Sequence, residues 1–95
     1  MTQPSPRGVA LNGRFLTQPV TGVQRFATEI LQGLDQLAAQ QVWCGAEILT
    51  PHSDAPMPQL QRLTARSIGR RQGHPWEQME LAGAARGRLL VSLGN

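Results

Sequence analysis

Ninety-five residues allow one domain at most, and a chain of this length hides only about 60–65% of its unfolded surface, so its core must be small. Hydrophobic residues at 40% and charged residues at 16% place it among globular rather than disordered sequences. The net charge of +3 rests on arginine alone, with no lysine anywhere; this balance favours anionic partners, although an Arg-for-Lys coding bias produces the same composition.

Residues 1–7 are polar and Pro-rich and read as a flexible N-terminus. The run Gly8 to Asn12 (GVALN) is short, apolar and bounded by Gly and Asn, as in a buried parallel strand. A loop containing Arg14, Pro19 and Gly22 follows. From Thr21 onward, Val23, Phe26, Ala27, Ile30, Leu31, Leu34, Leu37 and Ala38 recur at spacings of three and four, which predicts an amphipathic helix from about Gly22 to Ala39. Thr21 is its expected N-cap, with Gln24 completing a capping box; Gln24, Arg25, Glu29, Gln32, Asp35 and Gln36 form the expected polar face.

Val42 to Thr50 reads as a second strand interrupted near Gly45, and the prolines of Pro51 to Pro58 enforce a loop. A short strand is expected near Leu60 to Thr64, then a charged turn at Arg70 to His74. Pro75 opens a second helix that carries Trp76, Met79, Glu80 and Leu81 and runs to about Gly87. Arg88 to Leu93 is a buried-strand pattern, and the halt at Gly94 and Asn95 reads as a chain cut at a loop. The alternation of strands and helices predicts an α/β fold with a parallel sheet and right-handed crossovers.

Several chemistries are disfavoured. Aromatic residues are 4% of the chain, lack Tyr, and do not alternate with Arg as on a stacking platform, so nucleic acid is not an expected partner. Cys44 stands alone and His52 and His74 lie at no zinc spacing from it, which leaves no disulfide and no metal set; Cys44 reads as a core residue in a reducing compartment. The apolar stretch near the N-terminus is too short for a signal peptide and no run is long enough to span a bilayer, so the expected location is cytoplasmic, with peripheral contact at the inner face of a membrane left open.

Two stretches can carry function. Ligands of open α/β sheets settle beyond the carboxyl ends of the strands, where the loop before Gly22 lies; amides at the helix start, with Arg25 one turn in, can hold a phosphate. With neither GxGxxG nor GxxxxGK[ST] present, spacing alone favours a simple capped turn there. In the second stretch, Gly73 to Leu81, His74 and Glu77 can form an acid–base pair, but a cap at His74 and the helix dipole at Glu77 explain both without chemistry. Trp76 is the more natural packing residue.

Taken together, NGRFLTQPVTGVQRFATEIL and GHPWEQMELAGAARGRLLVSLGN resemble the N-terminal part of bacterial family 4 glycosyltransferases, retaining enzymes of GT-B architecture. The strings cover about half the chain. The resemblance implies that residues 8–95 are a partial Rossmann-like, acceptor-side domain, with Thr21, Gly22, Val23, Gln24 and Arg25 as the donor-phosphate loop and Arg14, His74 and Asn95 facing the acceptor. It also implies a nucleoside diphosphate sugar as donor, a glycan or lipid-linked acceptor from cell-surface polysaccharide or glycolipid assembly, and no metal or other cofactor. The donor-binding domain of that family has no counterpart in this sequence, so the chain by itself is expected to be inactive, and a partial domain leaves part of its sheet uncovered. The competing expectation is a non-catalytic α/β module that binds an anionic partner.

Overall fold

The computed structural model describes residues 8–18, 21–53, 57–72 and 75–93. Four parallel strands, β1 (Val9–Asn12), β2 (Glu47–Thr50), β3 (Thr64–Ser67) and β4 (Leu89–Ser92), form one sheet in the order β3-β2-β1-β4. Helix α1 (Gly22–Ala39) connects β1 to β2, and a second helix, α2 (76–84), lies between β3 and β4. This is the α/β, partial Rossmann-like arrangement anticipated from the sequence.

The strands alternate between two cores because successive side chains point to opposite faces. Leu11 and Ile48 pack with Ala27, Leu31 and Ala38 of α1, together with Phe15 and Leu63. On the opposite face Ala10 and Leu49 meet Trp76, Leu81 and Ala85. Trp76 is fully buried and its indole Nε1–H donates to the Ile68 carbonyl at 3.0 Å, as expected of a packing residue.

Helix α1 has the predicted bounds. Its sequence contains no proline between Gly22 and Ala39 and is rich in Leu, Gln and Ala, all good helix formers. It ends in a Schellman-type turn: Gln41 N–H donates to the Ala38 carbonyl and Val42 N–H to the Leu37 carbonyl, both at 3.0 Å, with Gln41 at φ +63°. The buried stripe is narrower than the periodicity suggested. Val23, Phe26 and Leu37 are exposed, whereas Asp35, assigned to the polar face, is buried.

Asp35 explains the segment before β3. Its Oδ1 accepts the Arg62 and Leu63 amides and its Oδ2 the Gln61 amide, each at 2.8 Å. Burial pushes this carboxyl up, but the three amides together outweigh burial and hold it below the ordinary aspartate range. Residues 61–63 are therefore occupied as an anchored turn, and β3 starts at Thr64 rather than near Leu60.

β2 likewise starts later than the sequence indicated. Gly45 turns the chain at φ +90°, and Trp43 Nε1–H bonds the Leu34 carbonyl at 2.8 Å, drawing 42–46 onto the end of α1 before the strand begins at Glu47. Cys44 is half-buried, its thiol against its neighbour's carbonyl, not in the core. Helix α2 opens as a π-helix over Trp76–Leu81 and closes with an α turn at Ala82–Ala84, shorter than the predicted run to Gly87.

The amino ends of the strands are tied by Glu47, whose carboxylate binds Arg88 at 3.0 Å and Arg66 at 3.1 Å. The outer strands differ in kind. β3 presents Thr, Ala, Arg and Ser, whereas β4 leaves Leu89 and Leu90 exposed on its two faces.

Candidate functional site

Strand order places a switch between β1 and β4. The chain moves from β1 through β2 to β3 in one direction, then returns to pair β4 on the other side of β1. Helices then leave from opposite faces, and the carboxyl ends of these two strands are where open α/β sheets hold ligands.

Asn12 ends β1 and is in register with Ser92 at the end of β4. Asn12 shares the side of β1 occupied by Ala10, which packs on α2, so its amide meets the first turn of that helix. There Asn12 Nδ2 donates to Glu77 Oε2 at 2.7 Å and to Ser92 Oγ at 3.3 Å. Arg14 Nη1 donates to Glu77 Oε1 at 2.7 Å, and the Arg14 backbone N–H donates to Asn12 Oδ1 at 3.1 Å, which sets the turn after β1. A carboxylate is thereby held by a guanidinium on one oxygen and an amide on the other. The Arg14 and Glu77 side chains are 23% and 22% exposed, so the pair is shielded yet reaches solvent.

The backbone around this cluster is fixed. Gly13 N–H donates to the Leu49 carbonyl at 2.8 Å, and a Cβ at Gly13 would lie 2.6 Å from Thr50 Cγ2 and 2.9 Å from the Leu49 oxygen. A short 3-10 turn, Arg14–Thr17, follows; Thr17 Oγ1 donates to the Arg14 carbonyl at 2.8 Å and Phe15 is driven into the core. From the other direction, Glu80 accepts the Arg70 and Arg71 amides and the Arg71 guanidinium. These bonds, led by the Arg70 amide, hold the Glu80 carboxyl below its ordinary range and fasten the loop after β3 to α2.

The loop expected to meet a phosphate lies at the same ends of the strands. Thr21 occupies the N-cap position of α1 in extended conformation, but its hydroxyl makes no bond to the helix amides. It meets the Gln24 side chain, which also donates to Gln18 Oε1, so the predicted capping box is not formed. The first turn of α1 contains no acidic residue, Gly22 and Arg25 are exposed, and among the described residues a Cβ on Gly22 would meet nothing within 4 Å. Val23 and Phe26 beside them are 47% and 63% exposed, so Phe26 is not the packing residue its periodicity indicated.

Of the expected site residues, Arg14 lies in the switch cluster and Thr21, Gly22, Val23, Gln24 and Arg25 form the start of α1. His74 and Asn95 lie outside the described residues, so the proposed His74–Glu77 pairing has no geometry to report. Glu77 meets Arg14 and Asn12, a relation the helix-dipole explanation did not foresee. Asn12 and Ser92 were missed; the available signal was a polar residue closing an apolar strand run. Among the described residues no group of His, Cys, Asp and Glu could hold a metal ion, and no helix is long and apolar enough to cross a membrane. Comparison of the chain with protein-family models, with curated proteins and with solved structures finds no match.

Proposed function

We propose that this chain is the acceptor-side part of a retaining glycosyltransferase that moves a sugar from a nucleoside diphosphate sugar to a cell-surface polysaccharide or glycolipid acceptor, and that it needs a donor-binding domain for activity. One observation supports the reading: the two resembling strings, far apart in sequence, meet at the carboxyl ends of the strands through Arg14, Asn12 and Glu77. The donor diphosphate would approach the open start of α1 at Gly22, with its amides and Arg25 stabilising the charge that develops on the leaving group. Exposed Val23 and Phe26 at that end fit work on a lipid-linked acceptor at the inner face of a membrane.

The test begins with the intact mass of the native product of the reading frame, followed by a transfer assay with nucleoside diphosphate sugars. A mass well above 10.4 kDa, a second α/β domain and sugar transfer are the expected results, whereas a native mass near 10.4 kDa removes the enzyme reading. In the active protein, Gly22→Val should reduce transfer without altering circular dichroism, because a Cβ there meets nothing among the described residues and the side chain would stand in the way of a ligand. Unchanged transfer in that variant removes the donor-loop role. The second reading, a non-catalytic module for an anionic partner, draws on the exposed Arg25 at a helix start without acidic residues; phosphate binding by a native product of this size would favour it.

A further inference from the structure

The start of α1 and the switch cluster lie at the same end of the sheet but differ in charge. The α1 start offers backbone amides and an exposed Arg25, with no acidic side chain in the first turn. At the switch, Arg14 is already matched by Glu77 at 2.7 Å, and the other Glu77 oxygen is taken by Asn12. We propose that Glu77 is a specificity-determining residue: by neutralising Arg14 it makes the Asn12–Arg14–Glu77–Ser92 cluster a subsite for neutral, hydroxyl-rich groups and turns anions away from it.

The chemistry of the donors and acceptors supports this division. Phosphate is an anion at neutral pH, and at the switch it would face a partly shielded carboxylate of the same sign. An alcohol both donates and accepts, so one hydroxyl can accept from the Arg14 guanidinium, which has five N–H groups, and donate to Glu77 or to Ser92 Oγ. Asn12 keeps these groups in place, since its amide nitrogen is bound to Glu77 and Ser92 and its oxygen to the Arg14 amide. The inference rests on the reading of this end of the sheet as a ligand site and names the ligand class of its β1–β4 side.

The test is a residue-resolved amide NMR titration of the full 95-residue chain with inorganic phosphate and, separately, with a neutral methyl glycoside. In the wild type, phosphate should shift the amides of 22–25 and leave those of 12–14 and 92 unmoved, while the glycoside should shift 12–14 and 92. Glu77→Gln keeps the shape and removes the charge; it should create a phosphate response at 12–14 that is about tenfold tighter than any in the wild type. Arg14→Gln/Glu77→Gln should lose that response, and well-dispersed spectra of both variants would show that folding is retained.

Phosphate binding at 12–14 in the wild type, or no glycoside response there, would overturn the proposal, and both are read without a variant. A folded Glu77→Gln chain with no new phosphate response would do the same. Loss of the response at 22–25 alone would count against the donor-loop reading and leave the assignment of Glu77 standing.

Discussion

Replacing Asp35 with Ala should destabilise the chain by about 3 kcal/mol, far more than a polar helix residue ordinarily would. The carboxylate accepts three backbone amides at 2.8 Å, but their environments differ. Gln61 and Arg62 are exposed, so their amides regain water when the carboxylate is removed, and each loss should cost about 0.5–1 kcal/mol. Leu63 is buried at 4% exposure, and its orphaned amide carries the larger desolvation penalty of about 1–3 kcal/mol. For a domain of this size the loss corresponds to a fall in Tm of about 12–24 °C. Asp35→Asn should recover part of it, because the retained oxygen can still serve Arg62 and Leu63 while the new NH2 group opposes the Gln61 amide. Urea unfolding and hydrogen exchange at Leu63 measure both effects. The pH dependence has a definite sign: a carboxyl depressed in the folded state contributes above its unfolded value of about 4, and the contribution is lost as pH falls through the lower folded value. The gap between wild type and Asp35→Ala should therefore be full at pH 7 and narrow below about pH 4. A gap under about 0.5 kcal/mol at pH 7, or one that does not change on acidification, would refute this account of the segment before β3.

Gly13→Ala should cost about 1–3 kcal/mol in thermal unfolding, because its Cβ would lie 2.9 Å from the Leu49 carbonyl oxygen as well as against two methyl groups. Gln41→Gly should raise stability by about 1 kcal/mol in the same assay by relieving a side chain at φ +63°. Glu47→Ala should lower stability by about 3 kcal/mol in urea unfolding at pH 7, since it leaves the largely buried Arg88 guanidinium without its carboxylate. Burial raises the Glu47 carboxyl and the bonds from Arg66 and Arg88 more than offset it, so this contribution also should be present at neutral pH and fade in acid.

What the sequence disclosed depended on whether a segment is buried on one side. Helix α1 was legible to both ends because its apolar residues repeat at helical spacing and the chain turns away after Ala39. β3 was not, since Thr64 to Ser67 is an exposed edge strand with no apolar alternation to read. Asp35 looked like any solvated helix residue because its partners, the amides of 61–63, leave no trace in side-chain identity. The site shows the same division. Arg14 was legible as a cation in the loop after a strand, but its matching carboxylate on α2 is a long-range contact, and only strand order brings the two together.

That pairing also changes the meaning of the arginine-rich composition. Arg14, Arg66, Arg71 and Arg88 are each bound to a carboxylate, Arg66 and Arg88 both to Glu47. Arginine suits these positions because its planar fork can bond a carboxylate and a second acceptor together, as Arg88 does with Glu47 and the Val9 carbonyl. The number of arginines is thus no measure of anion affinity here, since four of the nine are paired with carboxylates of the same chain. Arg25 differs: it is exposed at the start of α1 and has no carboxylate partner among the described residues. If an anion is bound at the ligand end of the sheet, its attraction should depend on Arg25 and the helix amides, and the paired arginines should contribute to it only when their acids are removed.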